Sequence, residues 1–118
     1  MLRILWSPDH VVDGEDGLPI YGRYYPSRKE IHVYIGSLQQ EAKKGWSLSD
    51  LKLLTLLHEK AHHHMHRLGI PDDEETADAY ALAAFIRLKR RLPRVDIEQW
   101  RPEAKPSAEQ DAKEAVHA

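Results

Sequence analysis

Residues 51–67 read LKLLTLLHEKAHHHMHR, and His58, Glu59 and His62 stand within them in the order H-E-x-x-H. An α-helix turns about 100° per residue, so histidines four apart lie roughly 40° apart on one face, one turn displaced. Both imidazoles can then reach one metal ion. Glu59 falls to the side of the pair, where it can touch a water at the ion without being a ligand. Ser47 with Asp50 predicts a capping box at the start of this helix, and Gly69 followed by Pro71 predicts its stop. The histidine pair borders an apolar face of Leu51, Leu54, Leu57, Ala61, Met65 and Leu68, whereas Lys52, Leu56, Lys60, His63 and Arg67 take the far side. A metal ion would sit where the helix meets the rest of the fold.

Five of the eight histidines fall within nine residues, so the same letters also arise in an exposed polar cluster with weak metal affinity. A catalytic zinc site needs a third protein ligand, and the downstream sequence offers one. His66 is a poor candidate, because a straight helix cannot wrap three consecutive turns around one ion, and it reads as a supporting or surface residue. Residues 71–93, PDDEETADAYALAAFIRLKRRLP, predict a second capping box at Asp72 and Glu75 and a helix from about Asp73 to Arg91, ended by Pro93. Glu74 and Asp78 extend the apolar stripe of Ala81, Phe85, Leu88 and Leu92. If this helix packs by that stripe on the first, Glu74 faces the histidines, and Asp78 can accept a hydrogen bond from a ligand imidazole. Asp72, Asp73 and Glu75 read as charges favouring a helix N-terminus.

HEKAH, followed twelve residues after His62 by Glu74-Glu75-Thr76-Ala77-Asp78-Ala79-Tyr80-Ala81, resembles the gluzincin metallopeptidases, in particular the very short minigluzincins. It is also similar to the anti-repressor peptidases of mobile elements. The resemblance covers roughly Glu30 to Leu92. It implies His58, His62 and Glu74 as zinc ligands, Glu59 as general base and Asp78 as the carboxylate behind a ligand histidine. Other zinc classes fit worse: Leu68 stands where a metzincin has its third histidine, and the chain lacks the cysteine that peptide deformylases use.

At 118 residues the chain predicts one domain, residues 1–101, with a tail over residues 102–118, and its 42% hydrophobic content suffices for a modest core. A formal charge of −2 gives no global footprint for nucleic acid or membrane. The absence of cysteine excludes disulfides and thiolate metal sites. No apolar run approaches the roughly 20 residues that span a bilayer. With no signal-peptide pattern either, the expectation is a cytoplasmic protein.

The expected fold class is α+β: a small N-terminal antiparallel sheet or hairpin, then two long helices carrying the metal site, then the tail. Leu2–Trp6 reads as a strand. Val11–Gly17 reads as a solvated loop whose Asp13, Glu15 and Asp16 lack calcium-loop spacing. Leu18–Tyr25 and Glu30–Gly36 read as a β-hairpin around Pro26–Lys29. An exposed edge of Glu30–Gly36 could pair with an extended peptide, a part that the resemblance also implies for this strand. Gly36–Gly45 predicts a short helical turn, and Trp46 a hydrophobic staple or core anchor.

Arg87–Arg94 carries five positive charges, read as helix C-terminal cations, with a DNA-linked role as the alternative. Val95, Ile97 and Trp100 form the last apolar cluster. Latency in some minigluzincins implies Val95–Arg101 as an autoinhibitory plug.

The functional expectation is a Zn2+-dependent metallopeptidase acting on a protein or peptide substrate, with water activated at the metal and Glu59 moving its proton. Tyr21, Tyr24, Tyr25, Tyr34, Tyr80, His32 and His66 stay open as oxyanion donors. The alternative is an interaction module in which metal only staples two helices, acting at DNA-bound proteins.

Overall fold

Ile31 and Val33 have no solvent exposure, and the sheet is built around the strand that carries them. The computed structural model describes residues 1–97 and 100. Five strands come first: β1 (Arg3–Ser7), β2 (Val11–Val12), β3 (Pro19–Ile20), β4 (Gly22–Tyr25) and β5 (Glu30–Tyr34). Three helices follow: α1 (Ile35–Ala42), α2 (Leu48–Leu68) and α3 (Glu74–Lys89). The α+β architecture is as expected.

β4 and β5 form the hairpin, with Tyr24 opposite Ile31 and a turn closed by Lys29 N–H donating to the Pro26 carbonyl at 3.2 Å. The expectation of an antiparallel sheet is corrected at β1, which pairs parallel to β5 with Arg3 opposite Glu30, so the order is β1-β5-β4 and the sheet is mixed. The physical reason is that a strand buried on its inner face must satisfy backbone groups on both edges, and the hairpin covers only one. Leu18–Tyr25 is split into β3 and β4, and Val11–Val12 is strand rather than loop, paired antiparallel to β3. Asp13 shapes the loop between them by accepting from the Glu15 and Asp16 amides at 2.7 and 3.3 Å.

α1 follows β5 without a break and is a complete helix rather than a short turn. α2 begins as read, with the Ser47 hydroxyl accepting from the Asp50 amide at 3.2 Å. It ends at Gly69 (φ 69°), whose N–H donates to the His66 carbonyl while Ile70 N–H donates to that of Met65. The reciprocal half of the box is absent. The Asp50 carboxylate instead accepts from Arg91 at 2.7 and 2.9 Å and from the Arg94 amide at 2.9 Å, tying the end of α3 to the start of α2.

α3 is capped by Asp73, whose carboxylate accepts from the Thr76 amide at 3.1 Å, so the box read at Asp72 and Glu75 does not form. The helix stops at Lys89, with Arg90 left-handed (φ 57°). Leu88 and Leu92, read as part of the buried stripe, are exposed.

Leu51, Leu54 and Leu57 of α2 pack between the sheet and Ala81, Ala84 and Phe85 of α3, with Val95 and Trp100 completing the core. Ala61, Met65 and Ala77 form a smaller cluster under the α2–α3 turn. Trp46 is exposed and is not the core anchor expected. No helix among the described residues is long and apolar enough to cross a membrane. The expected tail, residues 102–118, lies outside the described residues.

Candidate metal centre

α2 and α3 run antiparallel across the short Gly69–Asp73 connection, which sets the His58–His62 turn beside the Glu74–Asp78 turn. His58 and Glu59 have no solvent exposure and His62 only 4%. Four donor atoms from three residues converge there. His58 Nε2 lies 3.1 Å from His62 Nε2 and 2.9 Å from Glu74 Oε2, and His62 Nε2 lies 3.1 Å from Glu74 Oε1. Donor atoms around a tetrahedral zinc ion would be roughly 3.3 Å apart, so the cluster is within a few tenths of an ångström of that size. Glu74 Oε1 makes no well-aligned hydrogen bond despite its close neighbour, as expected of atoms grouped around a common centre rather than paired with one another.

The rear of each ring is occupied. His58 Nδ1 is 2.9 Å from Asp78 Oδ1, in close contact but off the straight N–H···O line. His62 Nδ1 is 3.3 Å from Asp72 Oδ1. A carboxylate behind each Nδ1 favours the tautomer with its hydrogen there, leaving two Nε2 lone pairs aimed at one another and at a carboxylate. Four acceptors converging in a buried space require protons or a cation between them.

The titration of these side chains reflects the same demand. Burial alone would lower the His58 pKa, but the carboxylates of Asp78, Glu74 and Glu59 outweigh it and raise it to about 9. For His62, burial is likewise overcome by Asp72, Glu74 and Glu59, and the value rises to about 12. Burial acts to raise Glu74, yet the two histidines bring it down to about 2. Among the described residues, His58 with Glu59 and His62, and His58 with Glu74 and Asp78, each place one donor atom per residue within 4.8 Å of the others, close enough to hold a metal ion.

The structure therefore brings together His58, Glu59, His62, Glu74 and Asp78, all singled out in the sequence, and adds Asp72, which was read as a helix cap and N-terminal charge. No periodicity could have found Asp72, because it sits in the irregular connection before α3. Glu75 is exposed and points away, and His66 is exposed. Glu59 faces β4: a Cβ at Gly22 would lie 3.4 Å from Glu59 Cγ and 2.7 Å from Thr55 Cγ2. The absent side chain at Gly22 lets the strand approach the helix this closely.

β5 is the central strand, so the exposed edge expected at Glu30–Gly36 is corrected: β4 is the edge beside α2. Tyr34 N–H donates to the Tyr21 carbonyl at 2.9 Å, and the alternation of the antiparallel ladder turns the backbone groups of Gly22 and Tyr24 away from β5. On the same side, the Tyr24 hydroxyl and His63 Nδ1 share a hydrogen bond of 2.7 Å, with His66 near Tyr24 at a ring separation of 6.2 Å. Trp100 stands edge-on to His58 with ring centres 5.7 Å apart and is itself buried. Comparison with family models, with curated proteins and with solved structures finds no match.

Proposed function

We infer that the chain is a metallopeptidase whose zinc ion is held by His58, His62 and Glu74. The observation that carries this reading is the convergence of two imidazole Nε2 atoms and one carboxylate within 2.9–3.1 Å, beside the buried carboxylate of Glu59. Zinc bound there would supply Lewis acidity, lowering the pKa of water from about 16 toward 7 and polarising a peptide carbonyl.

The chain's own residues do the rest. Glu59 accepts a proton from the attacking water and delivers it to the leaving amine. Asp78 and Asp72 fix the His58 and His62 rings so that each Nε2 stays turned to the centre. The Gly22 and Tyr24 backbone groups that turn away from β5 lie alongside Glu59, but both residues are buried, so an extended peptide pairs with this edge only once it is uncovered. Of the residues considered as oxyanion donors, Tyr24 and His66 lie on this side, while Tyr80 is exposed on α3 and Tyr25 stacks with His32 on the opposite face of the sheet.

The burial of Glu59 and both histidines favours a latent form, in which Trp100 seals the His58 side; residues 98, 99 and 101 of the expected plug lie outside the described residues. That burial is also the observation behind a second reading, in which the metal only staples α2 to α3.

The test is metal content of the tag-free protein with peptide cleavage measured beside it. About one zinc per chain is expected, lost in His58→Ala and in Glu74→Ala and retained in Glu59→Gln. Cleavage present in Trp100→Ala and abolished by adding Glu59→Gln supports the peptidase. Zinc present with no cleavage in any variant supports the staple, and no zinc uptake overturns both.

A further inference from the structure

The apolar residues of α3 are spread around its whole circumference. Ala77, Ala81, Ala84 and Phe85 are buried against α2, but Ala79, Tyr80, Ala83 and Ile86 are exposed and Leu82 is half-buried. A helix that is apolar on every side is ordinarily covered on every side. Along the outer face, Glu75, Ala79, Leu82 and Ile86 follow one another at intervals of four, three and four, the spacing of a helix-pairing seam.

We propose that this face is a homodimer interface, in which α3 packs antiparallel on α3 of a second copy about a two-fold axis between Leu82 and Ala83. This packing sets Ala79 of each copy against the partner's Ile86, small against large on both sides of the axis. It also brings the acidic opening of α3, with Asp73 and Glu75, against the basic end at Lys89 and Arg90. A parallel pairing would place like charges together. Glu75, Lys89 and Arg90 have no ion-pair partner among the described residues, so their charges are available for such a contact.

A pocket of about 130 Å³ lies on the same face, lined by Leu54, Asp78, Ala79, Leu82, Ile97 and Trp100. A dry cavity of about 150 Å³ accommodates benzene, so this one has room for a branched aliphatic side chain. The residue that antiparallel pairing sets against Ala79 is the partner's Ile86, which fills it. Two walls of the pocket, Asp78 and Trp100, touch His58, so each copy would close the rear of the other's histidine site. One helix pair buries less than the roughly 1,200 Å² of a stable interface, and the dimer is therefore weak and concentration-dependent.

Sedimentation equilibrium on the full chain, from roughly 0.01 to 1 mM, reads the outcome. The mass is expected to climb from 13.6 kDa toward twice that value. Ile86→Glu should weaken association at least about tenfold while leaving the circular dichroism spectrum intact. Glu75→Lys alone, and Lys89→Glu with Arg90→Glu, should each weaken it, and the three combined should restore it. A chain that stays at 13.6 kDa throughout overturns the proposal, as does a dimer indifferent to Ile86→Glu. Failure of the combined charge reversal to restore association overturns the antiparallel pairing.

Discussion

Replacing Asp78 by alanine removes the carboxylate 2.9 Å behind His58 Nδ1, inside a ring environment with no solvent exposure. A buried N–H left without an acceptor costs about 1–3 kcal/mol, and carboxylates behind ligand histidines typically contribute ten- to a hundredfold to metal affinity. Two features place Asp78 in the lower half of that range. Its side chain is 33% exposed, so water can replace part of what it supplies. Its contact with the ring is also off the straight N–H···O line. The expected loss is about ten- to thirtyfold in zinc affinity, or ~1.4–2 kcal/mol. Asp78→Asn, which keeps an oxygen but not the charge, should lose less. The assay is competition of the full chain against a chromophoric zinc chelator, with Glu75→Gln as the neighbouring control on the same helix. Undiminished affinity in Asp78→Ala, or an equal loss in Glu75→Gln, would refute the reasoning.

Asp50→Asn removes one of the two oxygens that accept from Arg91 and the Arg94 amide, together with the charge that Arg91 pairs with, at a side chain with 1% exposure, and should cost about 2–4 kcal/mol in urea unfolding at neutral pH. Hydrogen bonding to Arg91 holds the Asp50 carboxyl below its ordinary 3.8, against the opposing effect of burial. Its contribution is therefore complete above that value and lost as pH falls through the depressed one, so the gap between parent and variant should narrow in strong acid; an unchanged gap there counts against the pairing. Trp100→Ala should cost about 3 kcal/mol and expose the His58 ring, seen as faster zinc transfer to a chelator; transfer at the parent rate would show that Trp100 seals nothing. Gly22→Ala sets a methyl 2.7 Å from Thr55 Cγ2 and should destabilise by about 1–3 kcal/mol. Adding Thr55→Ser removes that carbon and should recover most of the loss, and a pair of melts showing no recovery would place the strain elsewhere.

Helical spacing carries information only along one helix and across a well-framed pair. His58, Glu59 and His62 were legible because an interval of four fixes their face, and Glu74 and Asp78 because they prolong an apolar stripe. Asp72 was not, since its meeting with His62 depends on the path of the turn after Gly69. Asp72 was read as the cap of α3, but the Thr76 amide is served by Asp73. Asp50 was read correctly as lying at a helix start but not as the partner of Arg91, 41 residues away. The alternation of Ile31 and Val33 disclosed a buried face of β5 but held no record of strand direction, which is why β1 was expected antiparallel. Leu88 looked like core by periodicity, yet it is exposed although α2 still runs alongside, as the Asp50–Arg91 pair shows.

Every candidate donor, from His58 to Asp78, belongs to one helical hairpin, and the sheet contributes none. Contacts of short sequence separation form early in folding, because closing a small loop costs little chain entropy. β1 must find β5 across the whole intervening chain, with Arg3 opposite Glu30. A metal ion can therefore be captured by the α2–α3 hairpin before the parallel strand pair exists, so zinc present during refolding should accelerate the formation of helix ahead of the sheet. The order of assembly is written into which part of the chain owns the donors.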